Sequence, residues 1–208
     1  MPDQDENASE PDAREAVANL RAIRELMERS TKHSTFSGLS GVLAGLASIA
    51  GCWLTHELQN QSVTNQQYSI NFVLIWSLVI IAAIGCDYIL TKRKAALVGK
   101  KIVSRLGKQM VAAAGPGLGT GALLTLNYLQ HHMLMDIYPM WMLCYGCAVS
   151  SVGLFSQREV LYLGAAFLFT GAGTLAVAPQ AGLMMMAVTF GGFHIIYGCW
   201  SSRRDGWL

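Results

Sequence analysis

Residues 70–90 read INFVLIWSLVIIAAIGCDYIL, and residues 91–94 read TKRK. A helix needs roughly 20 apolar residues to cross a bilayer core, and this stretch supplies 21 with a single carboxylate, Asp87. The basic run anchors its end, because cytoplasmic loops retain Lys and Arg while translocated loops shed them. Five more apolar stretches surround it, at Phe36–Thr55, Met110–Tyr128, Ile137–Phe155, Val160–Ala178 and Leu183–Trp200. With six spans, all fifteen Lys and Arg residues fall on one side. Arg14, Arg21, Arg24, Arg29 and Lys32 precede span one; Lys92, Arg93, Lys94, Lys100, Lys101, Arg105 and Lys108 lie between spans two and three. Arg158 precedes span five, and Arg203 and Arg204 follow span six. Loops 56–69, 129–136 and 179–182 hold none. The pattern predicts an all-α membrane protein of six transmembrane helices, N-terminus and C-terminus cytoplasmic, in a bacterial-type inner membrane.

Composition agrees. Hydrophobic residues make up 52% of the 208 and charged residues 13%, too few to cover a soluble domain of this size. The net charge of +2 matters less than its placement. A basic cytoplasmic face attracts anionic lipid headgroups at about 1 kcal/mol per cation near the surface, which assigns that role to Lys92, Arg93, Lys94, Lys100, Lys101 and Arg105. These residues sit beside spans without interleaved aromatics, which argues against nucleic acid. The N-terminus opens with Asp3, Asp5 and Glu6 and reaches apolar sequence only near Phe36, so it does not read as a cleavable signal.

Residues 1–10 read as a disordered acidic tail, and residues 11–34 as a cytoplasmic amphipathic helix. Ala13, Ala16, Val17, Leu20, Ile23 and Met27 recur at helical spacing. Arg21–Glu25, Arg24–Glu28 and Glu25–Arg29 pair on the polar side. The helix is too short and charged to span, so its stripe must lie on lipid, on the bundle or on a partner. A protein partner would meet Leu20, Ile23 and Met27, with Arg24 or Arg29 orienting it. The membrane domain covers 35–200, and a cytoplasmic tail covers 201–208.

Small residues in spans one, three and five (Gly41 and Gly45; Gly115 to Gly121 around Pro116; Gly164, Gly171 and Gly173) let backbones approach closely. Spans two, four and six each carry a Gly-Cys pair, at residues 85–86, 146–147 and 198–199, a pattern that three tandem hairpins of common origin would leave.

Chemistry-bearing residues are few. Asp87 and His194 are ionisable groups within spans, and such groups are costly and by default functional suspects. Asp87, five residues before Lys92, also has the plain explanation of snorkelling or pairing with Lys92 or Lys94. His194 is deeper, and a neutral imidazole bonded to a neighbouring helix accounts for it as well as a proton relay does. If spans two and six are neighbours, the two residues pair. Cys144 and Cys147 form a C-x-x-C with disulfide spacing, but an apolar setting makes thiols inert and free Cys is an ordinary core residue. His56, Glu57, His131, His132 and Asp136 gather in outer loops of unknown proximity, and no metal or other cofactor is assigned. No phosphate-binding loop or nucleophile elbow occurs.

Two stretches carry a family resemblance. One runs from Ile23-Arg24-Glu25-Leu26-Met27-Glu28-Arg29-Ser30 to Phe36-Ser37-Gly38-Leu39-Ser40-Gly41. The other runs from Trp141 through Tyr145-Gly146 and Phe155-Ser156 to Gly192-Phe193-His194-Ile195-Ile196-Tyr197-Gly198 and Arg203-Arg204. Over most of its length the chain resembles a group of six-span bacterial integral membrane proteins with an Arg-rich N-terminal amphipathic helix. The resemblance implies no activity. It draws attention to the N-terminal helix and to His194; in that group the positions of Cys144 and Cys147 are apolar or small, which weakens the redox reading.

The sequence thus favours a non-enzymatic membrane subunit or sensor acting through its cytoplasmic helix. A small-solute, ion or proton-coupled carrier or channel, built on Asp87, His194 and a span three that its glycines and Pro116 interrupt as in the broken helices of transport sites, is the rival, and a thiol redox protein is the third reading. Oligomeric state and helix packing order are not encoded legibly.

Overall fold

The computed structural model describes residues 15, 17–23, 38–97 and 105–205. The acidic tail 1–10, Arg24, Met27, Arg29, Lys100, Lys101 and the final residues 206–208 lie outside the described residues. Of those described, 92% are helical and none is in a strand.

The chain divides into two units, Met1–Ser34 and Thr35–Leu208. In the first, residues 17–23 form helix α1, where Val17, Leu20 and Ile23 are all exposed. The second unit contains α2 (Gly38–Gln59), α3 (Asn65–Leu97), α4 (Arg105–Gln130), α5 (Leu134–Gly153) and α6 (Arg158–Val177). A 3-10 turn at Pro179–Ala181 leads into α7, which has three parts: an α-helical turn Gly182–Met186, a π-helical segment Ala187–Phe193 and an α-helix His194–Asp205.

Four of these helical stretches are long and apolar enough to cross a membrane: Gly38–Gln59, Asn65–Arg93, Arg158–Val177 and Pro179–Arg204. Only 6% of the α3 stretch is buried within the protein. Ile70, Leu74, Leu78, Ile81 and Ile84 are exposed on it, an apolar face of the kind that lies against lipid or a partner protein. α4 and α5 are as long but less apolar. α4 carries Lys108, Gln109, Thr120 and Asn127, and α5 carries Asp136, Pro139 and the hydroxyls of Tyr138 and Tyr145. The helices also outrun the apolar stretches: α2 ends at Gln59 and α3 starts at Asn65, so the expected 56–69 loop shrinks to residues 60–64. α4 passes unbroken through Pro116, contrary to the interruption that its glycines and proline suggest.

α5 packs against α4 and α6, and α2 packs against α3 and α7. The two groups meet where the first turn of α7 lies on α5. Glycines set both seams. A methyl added at Gly198 would lie 2.6 Å from the Gly38 carbonyl oxygen, and one at Gly45 2.7 Å from the Gly191 carbonyl oxygen. Likewise, methyls at Gly146 and Gly171 would press on Leu168 and Leu143 across the α5–α6 contact. Of the three Gly-Cys pairs, the glycines at 146 and 198 are thus seam residues, whereas Gly85 faces open space. The repeat therefore does not preserve its environment. Hydroxyls inside the bundle bond back to carbonyls one turn earlier, as Ser48 does to Ala44 and Thr55 to Gly51, which pairs those hydroxyl hydrogens without help from lipid.

Candidate functional site

The most concentrated polar chemistry within the spans lies where α5, α6 and α7 meet. The Tyr145 hydroxyl of α5 is 2.7 Å from His194 Nε2 of α7. Phe167 of α6, fully buried, packs on Tyr145 at 4.9 Å between ring centroids and on His194 at 5.6 Å. Phe190 stacks on the imidazole at 6.2 Å with 12° between planes, and also touches Tyr145 at 4.8 Å. Three phenyl or phenol rings therefore enclose one imidazole.

The π-helix puts these groups there. Ala187–Phe193 winds one residue wider per turn, which brings Phe190, Phe193 and His194 toward α5 and α6. Such segments are rare and concentrate at functional sites. Their wide turn frees carbonyls that lipid cannot satisfy. Thr189, fully buried, answers this by donating its hydroxyl to the Met185 carbonyl at 2.9 Å. Gly191 keeps the segment slim enough for α2 to pass, since it lies against Ile49 and Gly45, whereas Gly192 faces open space.

The imidazole is incompletely satisfied. Nδ1 is buried and has no hydrogen-bond partner. The backbone of Thr189 and Phe190 lies within electrostatic reach, yet no bond of acceptable geometry reaches that nitrogen. If the tyrosine donates to Nε2, Nδ1 holds an unused N–H; if Nε2 donates, Nδ1 holds an unused lone pair. Either way Nδ1 is left without a hydrogen-bond partner.

Asp87 approaches from the other helix group. Its carboxylate accepts a 2.7 Å hydrogen bond from Ser40 Oγ of α2. The partner that orients it is a serine three residues into α2, in addition to whatever the basic run offers. Asp87 and His194 do not bond directly: Asp87 pairs with Ser40 of α2, and His194 with Tyr145 of α5. Gly41, next to Ser40, lies against the His194 carbonyl.

The other predicted residues are scattered. Leu20 and Ile23 are exposed on α1. Lys92 and Arg93 project from the last turns of α3, which continues through Lys94, and Arg105 begins α4. Cys144 and Cys147 are free thiols on successive turns of α5, Cys144 with its sulfur 3.7 Å from that of Met140 and Cys147 exposed. Among the described residues no three His, Cys, Asp or Glu side chains converge to share one ion. His132 instead ends α4 in the left-handed conformation, φ 57°.

Sequence reasoning passed over Tyr145 and Ser40 as site residues. A tyrosine hydroxyl deep in an apolar span is a usable signal, because it needs a partner there. Ser40 gives no such signal, and the π segment shows only as the pair Gly191-Gly192. Compared with protein-family models, with curated proteins and with solved structures, the chain has no significant match.

Proposed function

We propose that this chain is a six-span protein of the bacterial inner membrane, with both termini in the cytoplasm, serving as a non-enzymatic membrane subunit or sensor. The observation that carries it is α1, where Val17, Leu20 and Ile23 stand 48%, 65% and 52% exposed at helical spacing. Fully burying such a side chain is worth about 1.5–3 kcal/mol, of which about half remains to be gained at these exposures, and the arginines of residues 21–29 give a protein partner a charge to match. The basic segment beginning at Lys92 and Arg93 would hold the same face against anionic lipid.

The test is recovery of associated proteins from cross-linked cells expressing the full chain. Leu20→Glu with Ile23→Glu should abolish association while the membrane domain still inserts. Undiminished recovery of the same partner refutes the assignment. Reporter fusions at residues 62 and 133 check the topology, and a cytoplasmic signal from either overturns it.

A second reading is a small proton- or ion-coupled carrier, favoured by the Tyr145–His194 pair beside a π-helical segment and by the Asp87 carboxylate bonded to Ser40. It predicts that His194→Ala abolishes flux in proteoliposomes. Flux equal to that of the unaltered protein, or none in either, removes it.

A further inference from the structure

Away from that cluster, a groove of about 280 Å³ lies between α2 and α3, at the end of the bundle that carries the 60–64 turn. Its floor is apolar, with Leu54 and Leu58 from α2 and Leu74 from α3. Its rim is polar, with Glu57, Gln61 and Asn71. Leu54 and Leu74 are half exposed, so the groove opens sideways, onto the exposed apolar face of α3. Its volume is just under the ~300–1,000 Å³ of most small-molecule sites, which suits a single hydrocarbon chain.

The rim selects the head. Glu57 supplies a carboxylate, and residues 56–69 contain no Lys or Arg to neutralise it. Asn71 accepts through Oδ1 from Gln67 Nε2 at 3.0 Å, which leaves its NH₂ group to donate. Gln61 adds a second amide. A carboxylate beside amide donors matches a zwitterion whose phosphate and ammonium are a few bonds apart, and repels a head that carries phosphate charge alone. We propose that this groove binds one acyl chain of an aminophospholipid, its primary ammonium on Glu57 and its phosphate on the amides of Asn71 and Gln61.

The experiment uses the full chain, purified and reconstituted with equal amounts of phosphatidylethanolamine and phosphatidylglycerol. Retained lipid is identified by native mass spectrometry. The ethanolamine lipid should be kept in preference by about fivefold, equivalent to ~1 kcal/mol at tenfold per 1.4 kcal/mol. Glu57→Gln should bring the ratio near one, and Leu74→Trp should lower retention of both lipids by filling the floor. N-acetylated phosphatidylethanolamine, which lacks the ammonium, should lose the preference on the unaltered protein, so the test does not depend on any variant folding. A ratio near one for the unaltered protein overturns the proposal. So does a preference that survives either Glu57→Gln or N-acetylation.

Discussion

Gly198→Ala and Gly85→Ala make the same change in the same Gly-Cys dipeptide, and the structure assigns them opposite signs. The methyl at residue 198 would sit 2.6 Å from the Gly38 carbonyl oxygen, 2.7 Å from the Val42 nitrogen and 2.9 Å from Val42 Cγ2. Two of those three atoms are backbone, so no rotamer change relieves them. Restoring ordinary contact means moving α2 and α7 apart by roughly 0.8 Å, and a gap of that size forfeits a quarter to a half of each dispersion contact along the seam. Overpacking of this kind costs about 1–3 kcal/mol, and with backbone on the other side the upper value applies. Alanine returns about 1 kcal/mol of helix propensity, leaving a net loss of about 2 kcal/mol. Around Gly85 a methyl meets nothing, so only the propensity gain of up to ~1 kcal/mol survives. For a chain of this size 1 kcal/mol corresponds to about 2–4 °C in Tm. Thermal unfolding in detergent, followed by intrinsic tryptophan fluorescence, should therefore show Gly198→Ala lower by about 4–8 °C and Gly85→Ala unchanged or up to about 4 °C higher. Equal shifts of the same sign would refute the α2–α7 seam.

Three further outcomes are expected. Tyr145→Phe keeps the ring contacts with Phe167 and Phe190 but leaves both imidazole nitrogens without partners, at a cost of about 1–3 kcal/mol. Adding His194→Leu should recover part of that loss in a double-mutant cycle read by the same thermal assay, and strict additivity would contradict the pair. Ser40→Ala deletes a 2.7 Å bond to a carboxylate, worth about 1.5–3 kcal/mol, whereas Ser40→Thr should retain most of it; equal Tm values for the two variants would show that the bond contributes nothing. His132→Gly should raise Tm by a few degrees, because Met133 N–H bonds the Tyr128 carbonyl at 2.9 Å across a left-handed residue, where glycine carries no Cβ penalty; a fall would mean the imidazole itself holds that turn.

The apolar runs made the helices legible, because one-dimensional hydropathy reports what a helix needs to cross lipid. Residues 70–90 announce α3, and α3 is the least buried of the four helical stretches long and apolar enough to span. The weaker runs show the limit of that signal: α4 and α5 trade apolarity for glycines, hydroxyls and rings that pack against each other, as Trp141 does in donating to Thr125 at 2.8 Å. His194 and Asp87 stood out because charge-bearing atoms in an apolar run are costly wherever the chain folds. Their partners did not, since Ser40 and Tyr145 lie on α2 and α5 and the pairing depends on which helices are neighbours. Gly41 and Gly45 were readable as a close-packing pair, but their partners Gly191 and Gly198 lie some 150 residues away, and pairing of that range leaves no periodic trace.

That separation has a consequence for biogenesis. α2 is synthesised and inserted long before α7, yet α7 is what its glycine face fits. At about 5–20 residues per second, the wait is roughly 10–30 s, during which a helix with a shallow, small-residue groove must reside in lipid or against a temporary occupant. A chaperone or insertase that shields such a face would find its client in the interval between the two insertions, and release would come only when Gly191 and Gly198 arrive to displace it.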